Sequence, residues 1–227
     1  MHTLYAYPSL EVIFLNAVIF DLELVKRFKI GQLSTIVEIG ACKVDFATKQ
    51  IVDQLQIYIA PKGGYVEKST RSFINMDKED LKNAIPFKEG IEKFAAWLNK
   101  DDFLCSWGKD DRLHIIDECV RKDVKLDWFK NYNDIQPQIG KLLLPEVTHQ
   151  IGLKTALQTA GIEATGKAHR GIDDAVNTAK LFITFIDQVT LRKNEVTAKE
   201  VSQHFNRKII RARKTVSQAR PPVNKEP

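Results

Sequence analysis

The chain has 227 residues, of which 44% are hydrophobic and 28% charged, with a formal net charge of +5. This composition is ordinary for a globular protein, and the length allows a sizeable core without disulfide bonds. The longest apolar stretch, residues 12–20, is broken by Asn16 and ends at Asp21, so it is too short to span a membrane. It also lacks the basic start of a signal peptide, and we expect an ordinary first strand there.

The positive charge is concentrated near the C-terminal end. Residues 192–227 hold ten Lys or Arg and three Glu, a net charge of +7, which leaves −2 for residues 1–191. We therefore expect a folded domain over residues 1–191 and a basic tail over 192–227, partly helical or disordered. Apolar residues at 201, 205 and 209 favour one helix in that tail. Such a tail can bind phosphate backbones or be a solvated end, and the charge pattern leaves both open.

Cysteine usage bears on the cellular compartment. Cys42, Cys105 and Cys119 are an odd number, and no two have the spacing of a metal site or a redox pair. They predict reduced thiols, so we expect a reducing compartment, the cytoplasm.

Three strands are predicted first along the chain. Residues Ala17–Leu24, Thr35–Phe46 and Ile51–Ile59 are rich in apolar side chains and have the length of strands. The polar link at Ala47–Gln50 is short enough for a hairpin. The opening of the chain therefore predicts an antiparallel meander.

Helical periodicity follows after residue 86. Apolar residues at spacings of three and four predict a helix over residues 87–98 and another that begins near Asp110. The second has Leu113, Ile116 and Val120 on its apolar side, and a short strand, Phe103–Trp107, separates the two.

Two further helices are predicted, over Leu153–Ala160 and Ile172–Val189. Strands followed by alternating helices and strands indicate an α/β fold in which helices flank a mixed sheet.

Two acidic residues interrupt the first predicted strand. Asp21 and Glu23 are two residues apart, so their side chains point to the same face. Paired carboxylates in a core strand repel each other and are costly to bury unless a cation lies between them. A metal ion meets that need, because hard divalent cations prefer carboxylate oxygens. A solvent-exposed strand end explains the pair as well.

Two more acidic pairs stand at predicted helix starts. Asp110 and Asp111 follow the short strand, and Asp173 and Asp174 begin the last long helix, with Asp174 five residues after His169. Carboxylates are favoured at helix N-termini for capping alone. Capping does not explain the histidine, however, and an imidazole can take a proton from water near neutral pH.

The order Asp-x-Glu, a later Asp after a strand, and His-x4-Asp at a helix start resembles the DEDDh 3′–5′ exonucleases, which share a ribonuclease H-like fold. The likeness covers residues 17–189. IVEIGACKVD is similar to the second strand of that family and FINMDKEDL to its Leu-Thr-Gly-Ile segment. SWGKDD and HRGIDDA resemble its last two motifs and select Asp111 and Asp174. The branch it is most similar to contains histone-mRNA 3′-end exonucleases and bacterial sporulation-inhibitor-type homologues.

The resemblance implies a catalytic site and its chemistry. It implies two divalent ions, Mg²⁺ or Mn²⁺, a general base, and release of nucleoside 5′-monophosphates from the 3′ ends of single-stranded RNA or DNA, with RNA favoured. The implied general base is His169. The implied metal ligands, which are also counted as catalytic, are Asp21, Glu23, Asp111 and Asp174.

Substrate contacts are predicted with less support from the motifs. By analogy with the family, Leu24 meets the terminal base, and Phe73 and Met76 line the pocket for the 3′ end, although core packing explains the latter two equally well. Asn75 stands where the family usually has Gly, and it tolerates a left-handed backbone. The basic residues 26, 27 and 29 meet phosphates or belong to a solvated loop.

One alternative belongs to another class of protein. The chain could keep the exonuclease fold as an idle regulatory or nucleic-acid-binding protein. The complete set of five residues argues against this, because an idle site has no physical reason to keep a cluster of carboxylates.

Overall fold

The structure, a computed structural model, describes residues 15–25, 34–61 and 63–203. Its centre is a five-stranded sheet in the order β3-β2-β1-β4-β5. β1, β2 and β3 pair antiparallel, whereas β4 runs parallel to β1, and β5 parallel to β4. This mixed sheet, with a three-stranded meander, confirms the predicted architecture. The strands are β1 Asn16–Val25, β2 Thr35–Asp45, β3 Gln50–Tyr58, β4 Phe103–Ser106 and β5 Tyr132–Asp134.

Helices cover both faces of the sheet. They are α1 Lys68–Phe73, α2 Lys78–Lys82, α3 Phe87–Trp97, α4 Asp110–Lys122, α5 Gln136–Leu143, α6 Leu153–Thr159 and α7 Gly171–Phe185. Residues 198–203 are also helical, so the helix predicted in the tail begins within the described part of the chain. Phe205, Ile209 and the basic residues at 26, 27 and 29 lie outside the described residues.

Strand β1 separates two hydrophobic cores. Val18, Phe20 and Leu22 point to the core that contains apolar residues of α3 and α4. Ala17 and Ile19 point to the opposite core, which contains apolar residues of α7. Because side chains alternate along a strand, Asp21 and Glu23 continue the side that α7 covers. The alternation of β1 therefore determines which helix can meet its carboxylates.

Two predictions of detail were wrong. Leu113 was expected on the apolar side of α4, but it is 38% exposed, and Ile115 and Cys119 are buried instead. The last long helix ends at Phe185, four residues before the predicted end. In α4, apolar residues lie on two sides of the helix, so spacing alone does not select the buried side. Beyond the end of α7, Ile186 is still buried, so apolar spacing does not mark where that helix ends.

The first residues of the basic tail lie against the domain. The side-chain amide of Asn194 donates to the carbonyl oxygen of Tyr132 at 2.7 Å, and the backbone carbonyl of Asn194 accepts from the amide of Asn131. Farther on, Arg112 of α4 forms an ion pair with Glu200 at 2.9 Å. A domain boundary at residue 192 stays a prediction, and the segment after it is docked on β5 and α4.

Two further findings concern thiols and membranes. Cys42, Cys105 and Cys119 are free, buried thiols. Within residues 15–25, 34–61 and 63–203, none of the helices has both the length and the apolar character needed to cross a membrane.

Candidate active site

The site begins at the C-terminal half of β1. Asp21 lies opposite Gly40 of β2, and Glu23 lies opposite Glu38. The pairing slips by one residue directly after Glu23, between Glu23 and Leu24. Such bulges bend a strand and redirect its side chains, and they are common beside functional sites. Here the bulge lies directly after the two carboxylates, near the C-terminal end of β1.

Two glycines allow helix α7 to begin directly over these strands. A Cβ atom on Gly40 would overlap the backbone of Gly171 and Ile172. A Cβ atom on Gly171 would lie 3.2 Å from the carbonyl oxygen of Asp21. The backbones of β2 and α7 therefore meet without intervening side chains, and the first turn of α7 lies close to Asp21.

The loop before α7 is folded by the two aspartates that the sequence placed at the start of the helix. The carboxylate of Asp174 accepts a hydrogen bond from the backbone amide of His169 at 2.8 Å. The carboxylate of Asp173 accepts from the amide of Lys167, also at 2.8 Å. The N-cap of α7 is Arg170, which makes no side-chain capping bond. Both aspartates thus hold the histidine loop rather than cap the helix in the usual way.

Helix α4 supplies the next carboxylate. It begins at Asp110, its N-cap is Lys109, and that cap also makes no side-chain hydrogen bond. The carboxylate of Asp111 instead accepts from the backbone amide of Leu22 on β1. Capping therefore does not account for Asp111, which is turned toward the strand that carries Asp21.

These elements enclose an open cleft of about 250 Å³. Seven of the residues predicted for the site line it: Asp21, Glu23, Leu24, Phe73, Asp111, His169 and Asp174. The structure thus brings together every residue to which the motifs assigned a catalytic or metal-binding role.

The remaining predicted residue lies elsewhere. Met76 is only 4% exposed and packs in a small core with Val37, Val66 and Ile74. It is not among the residues that line the cleft. By contrast, Phe73 is 55% exposed, and its ring stacks on the imidazole of His169 with centroids 4.4 Å apart. Of the two residues predicted for the 3′-end pocket, only Phe73 lines the cleft.

Burial and mutual repulsion dominate the electrostatics of the cleft. Burial, followed by the charges of Asp111, Glu23 and Asp174, holds the pKa of Asp21 well above its usual range. Burial and the neighbouring Asp110 raise the pKa of Asp111 to about 7. Burial also raises the pKa of Asp174, although its bond from the His169 amide opposes the shift. The cleft therefore concentrates carboxylates where their negative charge is costly.

A divalent cation fits this set of donors. Glu23, His169 and Asp174 each offer a ligand atom, and these atoms lie within 4.8 Å of one another. Oxygen-rich sites of this kind suit Mg²⁺ or Mn²⁺. A bound cation would lower the pKa of the cleft carboxylates, which burial and mutual repulsion raise. A nitrogen of the His169 imidazole is therefore one of the three atoms gathered around this point.

Three residues near the site were not predicted. Asp110 and His114 line the cleft, and His114 follows Asp111 by three residues, so both lie on one side of α4. Its helical spacing from Asp111 could have identified His114 from the sequence. Glu38 is fully buried, and one of its oxygens accepts from the amide of Ile172 at 3.2 Å. Nothing in its apolar strand sequence distinguishes Glu38 from an ordinary polar residue on β2.

Fold and site together define a class of protein: a ribonuclease H-like α/β domain with a carboxylate-lined cleft beside the start of its C-terminal helix. The family model described as exonuclease matches residues 18–182, and the chain belongs to this exonuclease family. The family predicted from the motifs is thereby confirmed.

Curated relatives agree with this assignment. ERI1 exoribonuclease 2 of Xenopus laevis is 25% identical over 201 residues, which is 77% of this chain and 29% of that protein. DNA polymerase III PolC-type of Thermotoga maritima is 27% identical over 158 residues, 70% of this chain and 11% of the polymerase. An uncharacterised exonuclease domain-containing protein of Arabidopsis thaliana is 22% identical over 77% of this chain and 58% of its own length. The chain thus spans less than two thirds of each of these relatives.

Solved structures share the fold at low sequence identity. The nuclease domain of 3′hExo, a DEDDh family member bound to rAMP, superposes with a TM-score of 0.71 at 21% identity, over 82% of this chain and 99% of that one. A 3′-exonuclease that recognises a histone mRNA stem-loop gives a TM-score of 0.72 at 19% identity, over 82% of this chain and 69% of that one. These likenesses confirm the predicted ribonuclease H-like fold.

Proposed function

We propose that this chain is a metal-dependent 3′–5′ exonuclease that releases nucleoside 5′-monophosphates from single-stranded nucleic acid, with RNA favoured over DNA. One observation carries the proposal. Carboxylates from β1, α4 and α7, together with the histidine before α7, line a single open cleft. No packing requirement explains why residues so far apart in sequence should gather like charges in one partly buried place.

The residues of the cleft have separate roles in this proposal. Asp21, Glu23, Asp111 and Asp174 would hold two divalent ions. When bound, such ions activate a water molecule and stabilise the leaving oxygen of a phosphodiester. His169 would accept the proton of the attacking water, since its imidazole lies beside Glu23 and Asp174. Its backbone amide is held by Asp174, which fixes the loop from which the imidazole reaches the cleft.

Substrate preference rests on the shape of the cleft and on the relatives. The cleft is open, and the exposed ring of Phe73 at its edge suits stacking on an unpaired base, which favours single strands. The Xenopus relative is named an exoribonuclease, which supports RNA as the preferred substrate. Exonuclease I of Escherichia coli, bound to a dT13 oligonucleotide, shares the fold at 12% identity with a TM-score of 0.59, so DNA belongs among the test substrates.

The alternative, an idle exonuclease-fold protein that only binds nucleic acid, has weaker support. The raised pKa values of Asp21 and Asp111 reflect a costly concentration of charge. A protein without catalytic use of the cleft would be stabilised by losing one of these carboxylates, and none of the motif positions has lost one.

The test is a comparison of matched RNA and DNA oligomers labelled at the 5′ or the 3′ end and incubated with the protein and Mg²⁺ or Mn²⁺. We expect a stepwise ladder from the 5′-labelled RNA and immediate release of a labelled mononucleotide from the 3′-labelled RNA. Slower shortening of DNA would support the RNA preference. Binding of the oligomers without hydrolysis under either metal would contradict the proposal and support the idle protein.

A further inference from the structure

The loop that carries His169 is held by the turn between α1 and α2. His169 has a left-handed backbone, with φ of 59°. On its N-terminal side, the side-chain amide of Asn75 donates to the carbonyl oxygen of Ala168 at 2.7 Å. Asn75 itself has a φ of 49°. A left-handed residue in the turn is thus bonded to the residue next to a left-handed histidine.

The C-terminal side of His169 is tied to the same region. The guanidinium of Arg170 donates to the hydroxyl of Tyr58 at 2.6 Å and to the carbonyl oxygen of Asn75 at 3.5 Å. It also lies 3.8 Å from the carboxylate of Asp80 in α2, in a largely buried pair. Asn75 therefore both donates to the loop before His169 and accepts from the loop after it.

The turn also contacts the imidazole directly. Phe73 is two residues before Asn75, and its ring lies nearly parallel to that of His169, with an interplanar angle of 23°. One short segment thus sets both the backbone and the ring plane of the histidine. A left-handed backbone is costly for a residue with a side chain and persists when its surroundings fix it.

We propose that Asn75 is a positioning residue for His169, acting through the bond from its side-chain amide to Ala168. The inference rests on the proposed function in so far as His169 is the general base. Glycine, which the family usually has here, would permit the same left-handed backbone but would lack the amide. The chain therefore has a contact to the histidine loop that the usual residue cannot make.

Asn75→Gly tests the proposal because it removes the side-chain amide while the left-handed backbone conformation stays accessible. We expect kcat on single-stranded RNA to fall about tenfold with little change in KM, less than the ~10²-fold that a 1 Å misplacement can cost. Asn75→Asp, which tolerates the same backbone but cannot donate, should show a similar loss. Wild-type kcat in both variants would overturn the proposal.

A double-mutant cycle separates positioning from general destabilisation. In a His169→Ala background, which should itself lower kcat by about 10²–10⁴, Asn75→Gly should have no further effect, because its target is gone. An equal loss in both backgrounds would overturn the inference. The matched control is Asn194→Gly, which removes another side-chain amide bond of 2.7 Å at a residue that does not line the cleft, and it should leave kcat unchanged.

An activity-free measurement keeps the two proposals distinguishable. The imidazole signals of His169 in a ¹H–¹⁵N correlation spectrum can be assigned by their loss in His169→Ala. They should shift or broaden in Asn75→Gly and stay unchanged in Asn194→Gly. Unchanged signals in Asn75→Gly would refute the positioning role even if nuclease activity is present. Shifted signals in a protein that hydrolyses no nucleic acid would support positioning while refuting the proposed function.

Discussion

Single residues of the cleft show a conflict between stability and function. Asp21 lies where burial and four neighbouring carboxylates all raise its pKa. A carboxyl group in this cleft is easier to bury when it is protonated. Without metal, the folded protein therefore binds protons at the cleft more readily than the unfolded chain does. The arrangement is unfavourable for an empty cleft near neutral pH and favourable for one that binds divalent cations.

The sign of the pH dependence follows from these shifts. Because the folded pKa values are raised, their contribution to stability is fully present below the unfolded pKa near ~4 and is lost as pH rises through the folded values. For Asp111 the folded pKa is about 7. In EDTA, the carboxylates of the cleft should therefore destabilise the fold progressively between about pH 4 and about pH 8.

Asp21→Asn should consequently stabilise the metal-free protein at about pH 8. Removing one charge relieves the others, and each kcal/mol gained raises Tm by about 2–4 °C in a chain of this size. The difference from wild type should shrink toward about pH 4, where Asp21 is protonated anyway. Thermal unfolding in EDTA at several pH values measures this. Asp53→Asn, at an exposed carboxylate of β3, is the control, and a lower Tm for Asp21→Asn at the alkaline end would refute the account.

At the scale of elements, strong periodicity made most of the fold predictable. The meander and helices α3, α4, α6 and α7 have clear alternation or spacing of apolar residues, and their predicted positions agree with the structure except at the end of α7. Strand β5 was not predicted, because three residues that include Asn133 and Asp134 carry no alternation signal. It exists because β4 pairs with it. Helices α1 and α2 are six and five residues long, too short for a periodic pattern.

The site was predictable in composition but not in construction. The motifs pointed to the carboxylates and the histidine that line the cleft. They did not indicate the close approach of Gly40 in β2 to Gly171 in α7. A glycine in a strand can mark a bulge, a bend or a close backbone contact, and the sequence does not distinguish these cases. They also suggested Met76 as a cleft residue, although an apolar side chain near a motif is as easily a core residue, and here it is buried. Contacts between distant segments decide such cases.

The contact between β2 and α7 yields a prediction for Gly40→Ala. The added methyl group would overlap backbone atoms of Gly171 and Ile172, so α7 must move away from β2. Overpacking typically costs about 1–3 kcal/mol, and displaced Asp174 and His169 should lower activity by about 10²-fold or more. Thermal unfolding and the rate of RNA shortening measure the two effects. Gly152→Ala, where a Cβ atom meets nothing within 4 Å, should change neither appreciably, and an active Gly40→Ala would contradict the role of this contact.

At the scale of the whole molecule, the positive charge is concentrated in residues 204–227. Residues 204–227 hold seven Lys or Arg and one Glu, a net charge of +6, which leaves −1 for residues 1–203. The preceding segment is docked on the domain, and its Glu200 is bound to Arg112, the neighbour of Asp111 in sequence. Because the segment before residue 204 lies against α4, the basic residues that follow it are a testable candidate for holding nucleic acid near the cleft.

Neutralising part of that charge should weaken binding of long substrates. The test variant replaces five basic residues by Gln: Arg207, Lys208, Arg211, Arg213 and Lys214. In a plot of log RNA affinity against log salt concentration, the slope should become shallower by about 0.7 for each phosphate that these residues no longer neutralise. Hydrolysis of a dinucleotide should be unaffected, because it is too short to extend from the cleft. An unchanged slope would show that the basic residues are only a solvated end of the chain.

We propose above all that the acidic cleft performs metal-dependent hydrolysis. The most direct measurement is the rate at which 5′-labelled single-stranded RNA is shortened by wild type, Asp21→Asn and the control Asp53→Asn, each with Mg²⁺ and with EDTA. We predict shortening by wild type and Asp53→Asn with Mg²⁺ alone, and none by Asp21→Asn under either condition. Shortening that persists in EDTA or in Asp21→Asn would contradict the claim, as would its absence from wild type with Mg²⁺.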